Sequence, residues 1–204
     1  MRVTGGVIQV IDKELPIVLL EDNHADAFQD ALTGLYNRRY LAEALRDECN
    51  RARRYRTPLS LLIVDVDSLK QCNEEHGRQA GNEVIKLVAA AVAKSCRSCD
   101  IVARYGGDEF AVVLPDTDAG AAMAVAERIL DELGNRHLRW LGVSLPIAAS
   151  LGLHTATKPA QLSPTVIIER ADEQLRQAKR QGKGRVTAEP GQAVLPENSG
   201  GTGR

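Results

Sequence analysis

Apolar residues recur at helical spacing in several parts of the chain. Between residues 84 and 92 they follow an i, i+3, i+4, i+7, i+8 pattern, which is typical of a helix with one buried face. A similar stripe runs through residues 122–133, and residues 37–56 combine strong helix formers with a basic end that suits a helix C-terminus. Ser163 and Pro164 provide a cap and a first turn for a further helix.

Shorter apolar runs predict strands between these helices. Residues 59–67 ("LSLLIVDVD") are mostly apolar and end in acids, as expected of a strand buried on both faces. Residues 100–105 and 109–115 flank a Gly-Gly pair, which predicts a tight hairpin, and residues 147–155 form a further strand. Strands separated by helices, with a central hairpin, predict an α/β (α+β-like) fold with a mixed sheet.

The same pattern divides the chain into three parts. Residues 1–29 contain two short strand-like runs, "VIQVID" and "PIVLLED", and are interpreted as a leader or the remnant of an upstream segment. Residues 30–187 carry the regular pattern of one domain. Residues 188–204 are rich in Pro and Gly and aperiodic, so we expect a disordered tail there.

Composition narrows the function classes. The formal net charge of −1 provides no overall field that would attract nucleic acid or an anionic membrane, so any polyanion must meet a local site. No apolar run has the length of a membrane segment, and a cytoplasmic protein is the default expectation. The pair Cys96 and Cys99 has metal-ligand spacing, but no second Cys or His pair lies at a finger-like interval, which makes zinc or redox use a weak hypothesis.

Acidic residues mark the candidate chemistry. Asp65 and Asp67 are two positions apart at the end of the strand 59–67 and therefore point to one face. Asp108 and Glu109 lie on the hairpin, and if it pairs beside that strand, Asp65 and Asp108 converge. Converging carboxylates repel each other unless a cation lies between them, and hard oxygen ligands favour Mg²⁺. On spacing alone, a nucleotide-phosphate site and a set of solvated turn acids both remain open.

Four motifs, in order, resemble one known family. They are "DALTGLYNRRYL", "VDVDSLKQCNEEHGRQAGN", "RYGGDEF" and "ADEQLRQAKRQGKGRV", and the resemblance that they carry extends over about residues 30–187. The chain is similar to the GGDEF family of diguanylate cyclases. The resemblance implies a central mixed five-stranded sheet wrapped by helices, like that of nucleotidyl cyclases. It also implies that a homodimer condenses two GTP molecules to cyclic di-GMP with loss of pyrophosphate, using Mg²⁺ or Mn²⁺.

The resemblance also assigns roles to residues. Asp65 and Asp108 look like the carboxylate metal ligands, assisted by the Val66 carbonyl, and Glu109 would support the metal or help to activate the attacking 3′-hydroxyl. The expected nucleotide ligands comprise two glycines at the base and ribose, two amides at the base edge and three lysines at the phosphates. They are Gly106, Gly107, Asn73, Asn82, Lys70, Lys179 and Lys183.

Arg97 and Asp100 have the spacing of the family's inhibitory RxxD site. There an Arg can pair with a phosphate or stack on a guanine while the Asp accepts from the guanine edge, and Arg128 would complete the site. Cyclic di-GMP would then be both product and inhibitor. A helix-end Arg and a strand-start Asp without any ligand would give the same spacing.

Several positions depart from the family pattern, and two of them bear on nucleotide binding. Lys183 stands where the family often has Arg, which keeps the charge but loses bidentate geometry. Asn82 stands where the family usually has an Asp that accepts two hydrogen bonds from guanine, whereas an amide has one acceptor oxygen. GTP use is the main prediction. The alternatives are use of both GTP and ATP, and a catalytically weak or inactive domain that binds cyclic di-GMP or GTP as a regulatory module.

Overall fold

A computed structural model describes residues 27–134 and 136–189. The helices are α1 (Arg38–Tyr55), α2 (Leu69–Lys94), α3 (Ala119–Gly134) and α4 (Pro164–Arg180), with a 3₁₀ turn at Pro159–Gln161. The strands are β1 (Tyr36–Asn37), β2 (Leu59–Val66), β3 (Ile101–Arg104), β4 (Glu109–Pro115), β5 (His137–Trp140), β6 (Val143–Pro146), β7 (Ala149–Ala156) and β8 (Val186–Ala188).

Six of the strands form one mixed sheet in the order β1-β3-β4-β2-β7-β8. The central pairs β3–β4, β4–β2 and β2–β7 are antiparallel, and the edge pairs β1–β3 and β7–β8 are parallel. β2 and β7 are buried along their whole length, which explains their mostly apolar sequence, and their buried polar residues Ser60 and Thr155 hydrogen-bond to each other at 2.7 Å. The predicted mixed α/β fold is confirmed. The main sheet has six strands where five were expected, and its two edge strands, β1 and β8, are only two and three residues long.

Helices cover both faces of the sheet. Leu62 and Val64 of β2 point into a core shared with α2 and α3. Leu61 and Ile63, which alternate with them, point into a second core shared with α1 and α4. Odd-numbered positions of β2 therefore face the α1–α4 layer. None of the helices in the described part of the chain is long and apolar enough to span a bilayer.

Predicted and observed elements agree for the main helices and strands, and three local differences have physical causes. α2 is interrupted at Gly77, whose φ of 83° is not helical. The hairpin β5–β6 was not predicted, because its four-residue strands are half exposed and carry His, Arg and Ser. Ser163 precedes α4 as predicted, but its side chain makes no capping hydrogen bond.

The predictions made for the two ends of the chain fall mostly outside the described residues. The strand-like runs "VIQVID" and "PIVLLED" lie outside the described residues, as does the tail from residue 190 onward. Within the region expected to be a tail, Ala188 belongs to β8 and pairs with Leu153 of β7.

Candidate active site

Three acidic residues meet where β2 and β4 pair. The register places Asp65 directly opposite Glu109, and the backbone N–H of Val66 donates to the carbonyl of Asp108 at 3.0 Å. Asp65 lies at an odd position of β2 and therefore faces the α1–α4 layer. The hairpin thus pairs beside β2, which was the condition for Asp65 and Asp108 to converge.

These carboxylates affect one another electrostatically. Burial raises the pKa of Asp65; a hydrogen bond from Lys179 opposes the rise, and the charges of Asp108 and Asp67 add to it. The pKa of Glu109 is raised by burial and then by the charges of Asp65, Asp108 and Asp172. The site therefore holds more negative charge than its surroundings compensate, a condition that a bound cation relieves.

The hairpin turn differs from the expected two-residue Gly-Gly turn. It comprises the four residues between β3 and β4, and the N–H groups of Tyr105 and Gly106 both donate to the carbonyl of Glu109, at 2.8 and 3.1 Å. Neither Gly106 nor Gly107 has a positive φ. A Cβ on Gly106 would lie 2.9 Å from Glu109 Oε2, so this glycine makes room for the carboxylate of Glu109, whereas at Gly107 the space is open.

The three candidate phosphate lysines have different surroundings. Lys179, near the end of α4, places Nζ 2.8 Å from Asp65 Oδ2. Lys183 lies exposed in the loop after α4, with a φ of 62° between two glycines that also have positive φ. Lys70 is 90% exposed and lies 3.8 Å from Glu74 on its own helix, so the structure brings Lys179 to the acids but not Lys70.

Asp67 anchors the loop that carries Lys183. Its carboxylate accepts hydrogen bonds from Ser150 Oγ at 2.8 Å and from the Gly184 N–H at 3.0 Å. Asp67 thereby joins the end of β2 to β7 and to the loop after α4. Its pairing with the loop was not predicted, since the sequence gives no sign that residue 184 returns to residue 67.

The two candidate base-reading amides lie on either side of the interruption in α2. The side chain of Asn73 packs against Gly81, where an added Cβ would lie 2.9 Å from Asn73 Cγ. Asn82 follows Gly81 and is exposed. The break at Gly77 therefore brings Asn73 next to the turn of helix that presents Asn82.

Arg97, Asp100 and Arg128 are gathered around the end of α2. The Arg97 N–H donates to Asp100 Oδ2 at 2.7 Å, and the Asp100 N–H donates to the Arg97 carbonyl at 3.1 Å, which closes a turn. Arg128, on α3, donates through Nε and Nη2 to the Ser95 carbonyl at 3.1 and 2.6 Å. The three residues of the predicted inhibitory site are thus neighbours.

The residues present fit a hard divalent cation in chemistry. Within residues 27–134 and 136–189, no three Asp, Glu, His or Cys side chains are already gathered as a metal cage. Mg²⁺ does not need such a cage, because it usually takes one or two carboxylates together with substrate phosphates and water. The mutual repulsion of Asp65, Asp108 and Glu109 is the observation that favours a cation at this place.

Two contributions to the site were missed from the sequence. Asp172, on α4, adds negative charge near Glu109, and burial raises its own pKa. Arg104 binds both carboxylate oxygens of Asp30 at 3.1 Å and donates to the Gly107 carbonyl at 2.6 Å, which ties the hairpin to the segment before α1. Asp30, Arg104 and Asp172 all lie in the quoted motifs, so membership of a motif was the available signal.

Comparison with known proteins identifies the family. The model of the family described as diguanylate cyclase, GGDEF domain, matches residues 27–185. Diguanylate cyclase DgcP of Pseudomonas aeruginosa is 38% identical over 167 residues, covering 82% of this chain and 25% of that protein. Diguanylate cyclase DosC of Escherichia coli is 39% identical over 186 residues, covering 91% of this chain and 40% of that protein. The chain thus spans well under half of these relatives' length.

Solved structures agree with this result. The GGDEF domain of DgcB from Caulobacter crescentus, in complex with c-di-GMP, matches with a TM-score of 0.77 at 35% identity, covering 80% of this chain and 96% of that one. A longer form of DgcB with its coiled coil, also in complex with c-di-GMP, matches with a TM-score of 0.79 at 34% identity, covering 83% and 90%. Sequence motifs, fold and relatives agree, and the chain belongs to the GGDEF-domain family of diguanylate cyclases.

Proposed function

We propose that this chain is a diguanylate cyclase domain that condenses two GTP molecules to cyclic di-GMP and pyrophosphate with Mg²⁺ or Mn²⁺. The observation that carries the proposal is the meeting of Asp65, Asp108 and Glu109 at the β2–β4 pair, with Lys179 against Asp65. Family membership and the c-di-GMP bound to the related DgcB domain support it.

Each residue has a role in this reaction. The carboxylates of Asp65 and Asp108 and the carbonyl of Val66 would hold the divalent cation. When bound, such a cation stabilises negative charge on the α-phosphate during an in-line displacement. Lys179 and Lys183 would bind the terminal phosphates, and Lys70, at the start of α2, would have to turn away from Glu74 to join them.

Glu109 is suited to accept the proton of the attacking 3′-hydroxyl. A general base works best when its pKa lies closer to the working pH than that of an ordinary carboxylate, and the pKa of Glu109 is shifted in that direction. Its carboxylate is held over Gly106, at the edge of the open space beside Gly107. We assign Gly106 and Gly107 to the wall of the base and ribose pocket.

Catalysis in this scheme requires a homodimer. Each subunit holds one nucleotide, and the 3′-hydroxyl of each attacks the α-phosphate held by the other. A two-fold arrangement makes both attacks equivalent and supplies the orientation that the bimolecular step needs.

The base-reading residues favour a second candidate, a cyclase that uses both GTP and ATP. Each amide of Asn73 and Asn82 offers one acceptor and one NH₂ donor, and rotation by 180° exchanges them. Such a pair can match guanine, but an Asn can also match the donor–acceptor edge of adenine. GTP remains the first candidate, because Asn73 and the metal acids stand as the family has them.

Arg97, Asp100 and Arg128 are assigned to a site that binds cyclic di-GMP and inhibits the enzyme. Arg97 and Asp100 close one turn, and the guanidinium group of Arg128 lies against the Ser95 carbonyl just before it; such a combination of Arg and Asp side chains suits phosphate pairing and guanine recognition. A catalytically inactive domain that keeps this site would act instead as a cyclic di-GMP or GTP receptor. A receptor has no need of the metal acids, which makes this the weaker alternative.

The test is incubation with GTP, with ATP and with both, each with Mg²⁺, followed by identification of products by chromatography and mass spectrometry. We expect cyclic di-GMP from GTP, and none from the Asp108→Ala variant. Cyclic GMP-AMP in the mixed incubation would establish the second candidate. Absence of any cyclic dinucleotide from a confirmed dimer would leave only the receptor.

A further inference from the structure

Lys179 pairs with the carboxylate that the proposed reaction assigns to the metal ion. Its Nζ lies 2.8 Å from Asp65 Oδ2, and the side chain of Asp65 is only 10% exposed, so this ammonium group takes up much of the carboxylate's accessible space. Asp65 is also the proposed metal ligand, and Lys179 the proposed phosphate ligand. The structure therefore forms an ion pair between Asp65 and Lys179, although a bound metal–nucleotide complex would use the first for the metal and the second for the phosphates.

The pairing and metal binding compete for the same carboxylate. A Mg²⁺ ligand lies 2.0–2.1 Å from the ion, so an ammonium group hydrogen-bonded to the same carboxylate would stand within about 5 Å of a double positive charge. At that distance the two positive charges repel each other, so the cation binds less tightly while the ion pair is made. Besides Asp65, Lys179 acts on the acids Glu109 and Asp172 of the same site, so bound phosphates provide a partner that lies outside this acidic cluster.

We propose that Lys179 is a displaceable counter-ion that holds the metal position closed in the nucleotide-free protein. This inference rests on the proposed function. When a nucleoside triphosphate binds, its terminal phosphates draw the ammonium group away from Asp65, and the carboxylate becomes available to the divalent cation. Metal and nucleotide then bind cooperatively, and the acidic cluster binds free divalent ions only weakly on its own.

The chain offers a matched control for this role. Lys183 is the other proposed phosphate ligand beside α4, and it is exposed in a loop anchored by the contact of the Gly184 N–H with Asp67. Among the described residues no ion pair is recorded between Lys183 and Asp65. Replacing either lysine removes one positive charge from the site, but only Lys179→Met removes the group that covers Asp65, and Met preserves most of the side-chain volume.

The experiment is titration of the nucleotide-free protein with Mn²⁺, followed by electron paramagnetic resonance of the free ion. We expect Lys179→Met to bind Mn²⁺ about tenfold more tightly than the wild type, within the usual range of coupling between sites. Lys183→Met should leave this affinity within twofold of wild type. Addition of a non-hydrolysable GTP analogue should tighten Mn²⁺ binding by the wild type and have a much smaller effect on Lys179→Met.

The possible failures are distinguishable. If wild type and Lys179→Met bind Mn²⁺ equally and Asp65→Asn abolishes that binding, the metal site stands and the counter-ion role of Lys179 is wrong. An equal gain in Lys183→Met would also overturn it, because the effect would then reflect net charge alone. If neither wild type nor Lys179→Met binds Mn²⁺, with or without the analogue, both the inference and the metal assignment fail.

Discussion

The acidic residues at the site lie close enough to repel one another, which lowers the stability of the folded protein. Glu109 carries a carboxylate in a half-buried position opposite Asp65, and its ionised form is disfavoured first by burial and then by three neighbouring acids. The folded-state pKa of Glu109 therefore lies above its unfolded value of 4.5. Stability contributed by the proton on Glu109 is present below pH 4.5 and is lost as the pH rises through the folded-state pKa.

Replacing Glu109 with Gln should raise stability while abolishing turnover. At pH 7.5 and without metal, the amide avoids the repulsion, and we expect an increase in melting temperature on the order of 2 °C, a small value because Glu109 is only half-buried and solvent screens the repulsion. As the pH falls toward 4, the carboxyl of Glu109 takes up its proton and the difference should shrink. Glu127→Gln, on the exposed face of α3, should change neither the melting temperature nor the turnover. A lower melting temperature for Glu109→Gln at pH 7.5 would contradict this account of the site.

At the scale of secondary-structure elements, the close packing of α4 on β7 sets the position of Lys179. Gly152 of β7 lies directly under the helix, and a Cβ there would be 2.9 Å from Leu175 Cα and closer still to the backbone atoms Ala171 O and Leu175 N. Since backbone atoms cannot move aside as a flexible side chain can, α4 packs at this depth only over a glycine.

Gly152→Ala should therefore push α4 away from the sheet. We expect a loss of about 1–3 kcal/mol in the free energy of unfolding, the usual cost of overpacking, and a higher KM for GTP because Lys179 moves with the helix. Gly134→Ala is the control, since nothing lies within 4 Å of a Cβ at the end of α3. Unchanged urea denaturation of Gly152→Ala would show that α4 does not depend on this contact.

The sequence predicted the elements better than their contacts. α1, α3, β2 and β7 have strong periodicity or long apolar runs, and each was located within a few residues. β5 and β6 were missed because half-exposed four-residue strands carry too little pattern.

The candidate site was predictable as a set of motifs but not as a geometry. That Asp65 is opposite Glu109 depends on strand register, and that Asp67 holds Gly184 depends on a contact across 117 positions. Gly106 is needed because it leaves space for the carboxylate of Glu109 and not because its φ is positive, and this could be seen only from the structure of the turn. Each of these is set by tertiary packing, which local sequence does not encode.

In the whole molecule, the candidate active site and the candidate inhibitory turn lie at opposite ends of the hairpin strands. Glu109 begins β4, whereas Asp100 directly precedes β3, whose first residue, Ile101, pairs with Val113. The separation along β4 is about 13 Å, at 3.3 Å for each residue. Cyclic di-GMP bound at Arg97 and Asp100 therefore need not block the nucleotide pocket, and its effect would come from holding subunits in an unproductive arrangement.

Arg97→Ala should separate inhibition from catalysis. We expect the initial rate to stay near that of wild type and the inhibition constant for cyclic di-GMP to rise at least about tenfold, since charge-assisted pairing with phosphate is lost. Arg139→Ala, on the exposed hairpin strand β5, provides the control for loss of a surface arginine. Inhibition that persists unchanged in Arg97→Ala would mean that the product binds elsewhere.

The central claim is that two copies of this chain together turn two GTP molecules into one cyclic dinucleotide. The most direct measurement is the rate of cyclic di-GMP and pyrophosphate formation from GTP and Mg²⁺ at increasing protein concentration, with the oligomeric state determined in parallel. The account predicts one cyclic di-GMP for every two pyrophosphates, a rate per chain that rises until the dimer is fully formed, and no product from Asp108→Ala. A confirmed dimer that forms no cyclic dinucleotide, or a rate per chain that is constant where the monomer predominates, would contradict it.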